Sequence, residues 1–320
     1  MKRLPPEAVA SLLVVKLSSL GDVLLFTPVL AALRRHWPGA AITLLTGRAA
    51  APLVAGNPDI DRLLVHEGGP VSFLRVVREL RTRHFDLALD FQGLTRSWLF
   101  LRSVRANYRA GKGRFPGLEH RAPHRRSRVR HAVESYFELT DGLGIPRPAA
   151  ELRQPVFHPV EDLPLPAGAP AHYILCNPFT RGRKKRWPAA AWGELGKKIS
   201  GEGYVPVFSG APNDRKASQR LAAGCGGMSI AGRVDLAGLA AWIRGAALTV
   251  TVDSFPLHLA CALAAPVLGI FGPTDPARTG PRGAGTSVAG RTAGGRARAM
   301  RTVSVETVLE AVRAALSAGT

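Results

Sequence analysis

Leu12-Leu13-Val14-Val15-Lys16-Leu17-Ser18-Ser19-Leu20-Gly21-Asp22 joins a short apolar run to a polar loop containing glycine. The run is too short for a helix and reads as a strand buried on both faces. From Val23 to His36 apolar residues recur at helical spacing, until Trp37-Pro38-Gly39 stops them. A buried strand, a glycine-bearing loop and a helix open an α/β sheet, in which ligands bind beyond the carboxyl ends of strands.

The alternation continues outward from this segment. Strands are expected at 42–46, 62–66 and 85–90, and helices near 49–55, over 73–84 and over 133–143. Residues 155–171 carry Pro155, Pro159, Pro164, Pro166 and Pro170, a composition that suits an interdomain linker. Beyond them come strands at 173–176, 205–208, 248–252 and 267–271. Helices are expected at 189–201, 214–223, 236–243 and 257–263. The reading is two α/β halves, 1–158 and 159–320, with an amphipathic tail helix at 304–317 that packs back on the first half. Ser254 to Thr274 lacks Asp, Glu, Lys and Arg and could span a bilayer by count. It holds Pro256, Pro266, Pro273, Gly269 and Gly272, so it reads as helix, buried strand and loop.

Hydrophobic residues make up 46% of the 320, which excludes fibrous and disordered classes. Charge is lopsided, with 43 Lys+Arg against 23 Asp+Glu and a net +20, so an anionic partner is expected. Two stretches concentrate it. Residues 102–130 hold ten Lys+Arg and a single acid, Glu119, and read as a basic, mobile loop region. Residues 278–301 hold six Arg and no acid. Cys176, Cys225 and Cys261 are odd in number and have no C-x-x-C spacing, which points to neither a disulfide frame nor a thiolate zinc site and fits a reducing compartment.

Four segments carry candidate chemistry. Asp22 lies in the first turn of a helix that follows a strand. It is either a dipole-stabilised terminal residue, worth about 0.3–1 kcal/mol, or an acid pointing into the crevice. Neither G-x-G-x-x-G nor G-x-x-x-x-G-K-[ST] follows the strand, which weighs against a dinucleotide fold and a P-loop. Asn177 through Pro188 crowds Arg181, Arg183, Lys184, Lys185 and Arg186 into a loop that opens a helix, either a phosphate site or a solvated charge run. Val252-Asp253-Ser254-Phe255-Pro256-Leu257-His258 again ends a strand and begins a helix; Asp253 alone could be an N-cap and His258 a structural histidine. Asp214 in Gly210-Ala211-Pro212-Asn213-Asp214 is either a cap or a grip on ribose hydroxyls.

In this order and spacing, Val15-Lys16-Leu17-Ser18-Ser19-Leu20-Gly21-Asp22-Val23-Leu24, Lys185-Arg186-Trp187-Pro188 and Asp253 through Pro276 resemble the heptosyltransferases of lipopolysaccharide synthesis, glycosyltransferase family 9. The resemblance covers nearly the whole chain. It implies an α/β GT-B fold, with two Rossmann-like domains facing a central cleft. The first would bind the acceptor and the second a nucleotide sugar. It implies inverting transfer of a heptose from ADP-heptose to a lipopolysaccharide core oligosaccharide. Asp22 then matches the catalytic base and Lys185 the lysine on the donor diphosphate. Thr180 matches a phosphate contact, Asp214 the acid near adenosine, and Asp253, Ser254 and His258 the donor-binding turn and helix. Ser19, Gly21, Arg109 and Lys112 become acceptor contacts. Phe255 stands where the family often has glycine. The resemblance implies no metal, no cofactor beyond the ADP-sugar donor and no nucleic-acid partner. It implies an anionic lipid-linked acceptor and a cytoplasmic enzyme peripheral to the inner membrane, with the two arginine-rich stretches as membrane or acceptor contacts. The alternatives are a GT-B transferase of another nucleotide sugar, a nucleotide-dependent dehydrogenase on a Rossmann half, and a basic nucleic-acid-binding protein. The low aromatic share (7%) and the absence of a recognition motif weigh against the last.

Overall fold

The computed structural model describes residues 9–113, 115–122 and 130–318. The chain divides into two compact units, Met1–Val160 and Glu161–Thr320, at a point within the proline-rich stretch. In the first unit the strands are β1 (Ser11–Val15), β2 (Ala41–Gly47), β3 (Arg62–His66), β4 (His84–Asp90), β5 (Arg105–Lys112) and β6 (His120–Ala122). They form one sheet in the order β3-β2-β1-β4-β5-β6, with every pairing parallel. Leu12, Leu13, Val14 and Val15 are fully buried, as a strand covered on both faces requires.

The helix expected over 23–36 is two: α1 (Leu20–Leu24) and α2 (Thr27–His36). Pro28 lies in the first turn of α2, where its missing N–H costs nothing but prevents a continuous helix. Thr27 closes the break by donating its hydroxyl to the Leu24 carbonyl at 2.8 Å. α3 (Gly69–Arg81), α4 (Thr95–Ser103) and α5 (Ala132–Gly142) complete the unit. α3 packs beside α4, and α2 contacts α5; parallel strands joined this way follow right-handed crossovers as a rule.

The stretch 102–130 is not a loop throughout. β5 and β6 lie within it because Arg105-Ala106-Asn107-Tyr108 alternates polar and apolar residues, a pattern hidden by the density of arginine. Arg109 is part of that strand. Its guanidinium donates to the carbonyls of Val104 (2.8 Å), Ala106 (3.1 Å) and Leu101 (3.3 Å), so it caps the end of α4. Arg114, Arg125, Arg126 and Arg128 lie outside the described residues.

The second unit holds β7 (Tyr173–Asn177), β8 (Val205–Phe208), β9 (Met228–Ser229), β10 (Leu248–Val252), β11 (Val267–Phe271) and β12 (Thr286–Gly290). Their order is β12-β11-β10-β7-β8-β9, again all parallel. The helices are α6 (Ala189–Gly201), α7 (Arg215–Ala223), α8 (Leu236–Gly245), α9 (Phe255–Ala262), α10 (Pro276–Thr279) and α11 (Val305–Ser317). Ser254 to Thr274 divides into α9, a turn and β11, and among the described residues no helix is long and apolar enough to cross a membrane.

The tail helix α11, expected to reach back to the first half, has its apolar face in the second unit. Val305, Val308, Leu309 and Val312 join a core with Trp187, Trp192, Val250 and Leu268. That burial is worth roughly 1.5–3 kcal/mol per side chain as an upper figure. Cys176, Cys225 and Cys261 are unpaired and buried in this unit. Both units share one strand order. The first strand lies beside the fourth, and the chain winds outward from that pair in both directions. That is the switch point at which open α/β sheets form a crevice beyond the strand ends.

Candidate active site

At the first switch point β1 ends at Val15 and β4 at Asp90. The loop leaving β1 is held from beneath. Gln92 Oε1 accepts from the backbone N–H of Leu17 (3.1 Å) and Ser18 (3.0 Å) and from Lys16 Nζ (3.3 Å). Asp90, 1% exposed, accepts from Ser97 Oγ (2.7 Å) and from the N–H of Gln92 (2.8 Å) and Gly93 (3.1 Å). Burial raises its pKa, against these bonds. The loop delivers Asp22 in the first turn of α1, just past the buried Gly21. Asp22 Oδ2 accepts from Ser19 Oγ (2.7 Å) and Ser19 N–H (3.3 Å), and Oδ1 accepts from the Tyr136 hydroxyl of α5 (2.9 Å).

Burial alone would raise the Asp22 pKa. The Lys16 ammonium and the donors on Ser19 and Tyr136 outweigh it, and the carboxyl lies below its ordinary value. Two lysines converge on the same tyrosine: Lys16 Nζ lies 5.0 Å and Lys112 Nζ 4.3 Å from the Tyr136 ring centre. Burial pulls both down to about 8. The arrangement is an ionised carboxylate with three donors behind it, beside two lysines whose pKa values burial brings down to about 8.

Of the acceptor contacts expected from sequence, Ser19, Gly21 and Lys112 belong to this crevice. Arg109 does not, because its donors are already committed to backbone carbonyls. The composition of the crevice was only partly visible. Tyr136, Asp90 and Gln92 carry no local motif, and only the strand order brings them to the β1 loop.

At the second switch point β7 ends at Asn177 and β10 at Val252. Asn177, 4% exposed, ties the two strand ends together, donating from Nδ2 to Ser254 Oγ (3.0 Å) and to the Phe179 carbonyl (3.1 Å). Ser209 Oγ donates to its Oδ1 at 3.1 Å. Ser254 is the N-cap residue of α9, and His258 follows one turn later, buried. Phe255 is half-buried at the first position of that helix. Lys185 Nζ reaches Asp253 Oδ2 at 2.8 Å, and Thr279 Oγ1 donates to the same oxygen at 3.2 Å. Thr180 lies in the same loop, its carbonyl accepting from Arg186 Nε at 3.0 Å.

The neighbouring β8 loop carries Asp214, whose Oδ2 accepts from the Ala211 N–H at 3.0 Å. Gly210 lets that loop approach, since a Cβ there would fall 2.7 Å from the Phe179 ring. Lys185, Asp253 and Ser254 thus meet at these strand ends, with Thr180 in the loop that carries Lys185, His258 buried one turn into α9, and Asp214 in the neighbouring β8 loop acting as a cap. Asn177, which pins the crevice, stands inside the quoted loop but has no sequence signal for its role.

Asp275 has a different task. It accepts from the N–H of Ala277 (2.9 Å) and Gly294 (3.1 Å) and pairs with Arg291 (2.9 Å). Burial works against ionisation there, but these bonds outweigh it and hold its pKa down. Arg291, within the arginine-rich stretch 278–301, therefore fastens the loop beside α10 and is not available to a membrane.

The family model described as glycosyltransferase family 9 (heptosyltransferase) matches residues 73–307. A lipopolysaccharide heptosyltransferase 1 from Pseudomonas aeruginosa is 31% identical over 304 residues, covering 85% of this chain and 81% of its own length. A lipopolysaccharide heptosyltransferase 3 from Escherichia coli is 27% identical, covering 80% of this chain and 81% of its own. Among solved structures, the family 9 glycosyl transferase from Veillonella parvula superposes with a TM-score of 0.86 at 23% identity, covering 99% of both chains. The E. coli heptosyltransferase WaaC with ADP gives 0.77 at 24%, covering 95% of this chain and 99% of that one. The fold is the GT-B arrangement of two parallel six-stranded α/β units. With the family pattern running through most of both units, the chain belongs to glycosyltransferase family 9, the heptosyltransferases.

Proposed function

We propose that the chain transfers a heptose from ADP-heptose, with inversion, to a core sugar of lipopolysaccharide. The observation that carries the reading is Asp22, a carboxylate kept ionised at a switch point by Ser19, Tyr136 and Lys16. The acceptor hydroxyl attacks the anomeric carbon while its proton passes to Asp22. The bond from that carbon to the donor diphosphate breaks through an oxocarbenium-like state, and the electron pair leaves with ADP. Lys185, the Thr180 loop and the N–H groups at the start of α9 meet the growing charge on the diphosphate. Asp214 supports the adenosine. His258 supports the helix that presents those N–H groups. Lys112 and Ser19 meet the acceptor, whose lipid anchor puts the enzyme at the cytoplasmic face of the inner membrane.

A thermal-shift panel of ADP-, UDP-, GDP- and CMP-sugars tests the donor. At about 100 times Kd a ligand adds about 2.7 kcal/mol of stability, which is on the order of 5 °C for a unit of this size. The expected result is a shift with ADP-heptose alone. A comparable shift with a UDP-sugar replaces heptose transfer by another GT-B transfer.

Activity and stability are expected to part between about pH 7 and 9. Lys16 and Lys112 lose their protons near 8, which removes the cations beside Asp22 and the acceptor, so turnover falls. Their folded values lie below the ordinary 10.5, so the unfolded chain holds more protons in this window and stability rises with pH. For the buried Lys16 the relief approaches about 3 kcal/mol once pH passes its unfolded value. The buried thiols, with raised values, act in the opposite sense from about pH 9 upward. Parallel pH profiles of kcat and Tm check this; a Tm that declines along with kcat from pH 7 to 9 contradicts it.

A further inference from the structure

The cations singled out by sequence density are partly committed inside the fold, as Arg109 and Arg291 are, whereas the outer faces of α3 and α4 carry uncommitted ones beside exposed apolar side chains. On α3 the outward stripe is Val71, Leu74, Arg75 and Arg78, at spacing i, i+3, i+4, i+7; Val71 is 81% and Leu74 53% exposed. On α4 it is Arg96, Leu99 and Arg102, with Leu99 43% exposed. The buried sides are conventional: Val76, Val77 and Leu80 on α3, Phe100 and Leu101 on α4.

The two stripes form one surface. The Phe73 and Phe100 rings lie 4.6 Å apart, and Arg81 Nε donates to the Ser103 carbonyl at 3.3 Å. Arg75 pairs with Glu67 at 3.5 Å, and Glu79 is taken by Arg62. Among the described residues no carboxylate pairs with Arg78, Arg96 or Arg102. A second copy of this chain would set these cations against themselves, and an uncharged surface would leave them unmatched. Helices with apolar residues beside arginine are suited to lie in a headgroup layer. The surface also begins just beyond Gln92, which braces the Asp22 loop.

We propose that the outer faces of α3 and α4 dock the first unit on an anionic phospholipid leaflet, with Val71, Leu74 and Leu99 in the headgroup layer and Arg78, Arg96 and Arg102 at its phosphates. The inference rests on the reading of the acceptor as lipid-linked, and it gives that reading a surface.

The test is flotation of the full chain with vesicles free of any saccharide acceptor, made of phosphatidylcholine alone or mixed with phosphatidylglycerol. Binding is expected only to the mixed vesicles and declines with salt. Arg78→Gln with Arg96→Gln should weaken it roughly 30-fold, since each cation near an anionic leaflet counts for about a fivefold change. Val71→Ser with Leu74→Ser should abolish retention at moderate salt with only a small change in Tm, because Val71 stands in solvent and Leu74 is about half exposed. Arg313→Gln on α11, itself paired with Glu202, serves as the charge control and leaves binding unchanged. Equal binding to phosphatidylcholine, or binding untouched by either double variant, overturns the proposal. So does a change of sedimentation coefficient in the Val71/Leu74 variant, which would make this face a contact between copies. Vesicle binding that follows these rules in a chain that transfers no heptose leaves the docking face standing and removes the proposed reaction.

Discussion

Asp22→Asn is expected to lower kcat by about 10²–10⁴-fold, the usual share of a positioned general base. Asparagine keeps the shape of the side chain and can still accept from Tyr136 or Ser19, so α1 and its loop should remain in place. What it lacks is the capacity to take the acceptor's proton. Donor affinity, which the proposed reaction assigns to residues of the second unit, should change little. Titration of ADP into the variant, together with single-turnover transfer, separates the two quantities. Undiminished turnover removes Asp22 as the base; lost turnover with lost ADP affinity points to a disturbed fold.

Lys185→Ala is expected to act twice. A charge-assisted contact to the donor diphosphate is worth about 1.5–3 kcal/mol, so ADP affinity should weaken by roughly 10–150-fold. The substitution also leaves Asp253, 4% exposed, with Thr279 as its remaining side-chain partner among the described residues. Stripping one partner from a fully buried pair costs about 3–5 kcal/mol. Lys185 is 32% exposed, so solvent screening reduces that to about 1–3 kcal/mol. The double variant Lys185→Ala/Asp253→Asn discriminates the effects. It should recover most of the stability, because no unpaired charge remains, and none of the ADP affinity. If both return together, the pair serves the fold and not the donor.

Much of the fold could be read from pattern. The strands at 62–66, 205–208, 248–252 and 267–271 and the helix at 189–201 fall where spacing sets them, because buried parallel strands are short apolar runs and the helices between them have strong periodicity. β5 was hidden because arginine density suggested a loop, while the weak alternation of Arg105-Ala106-Asn107-Tyr108 carried the strand. β9, with two residues, and β12, whose Thr286-Ser287 opening resembles a turn, have too little apolar content to stand out. The residues quoted by motif were those next to strand ends. Tyr136 and Asp90 were invisible for a topological reason: α5 and β4 are far along the chain from Asp22, and only the exchange of neighbours at β1 and β4 brings them to it.

The three thiols give the second unit a property that the first has no counterpart for. Cys176 lies in β7, Cys225 just past α7 and Cys261 in α9, and burial drives each away from its thiolate, Cys261 up to about 11. A native sulfhydryl of this kind is both weakly nucleophilic and out of reach. Alkylation in native buffer therefore proceeds through transient opening, and its rate measures the free energy of opening around those three positions. Cysteine is absent from residues 1–160, so the chain carries an intrinsic reporter for the loosening of its second unit, and the first unit contributes no signal to it.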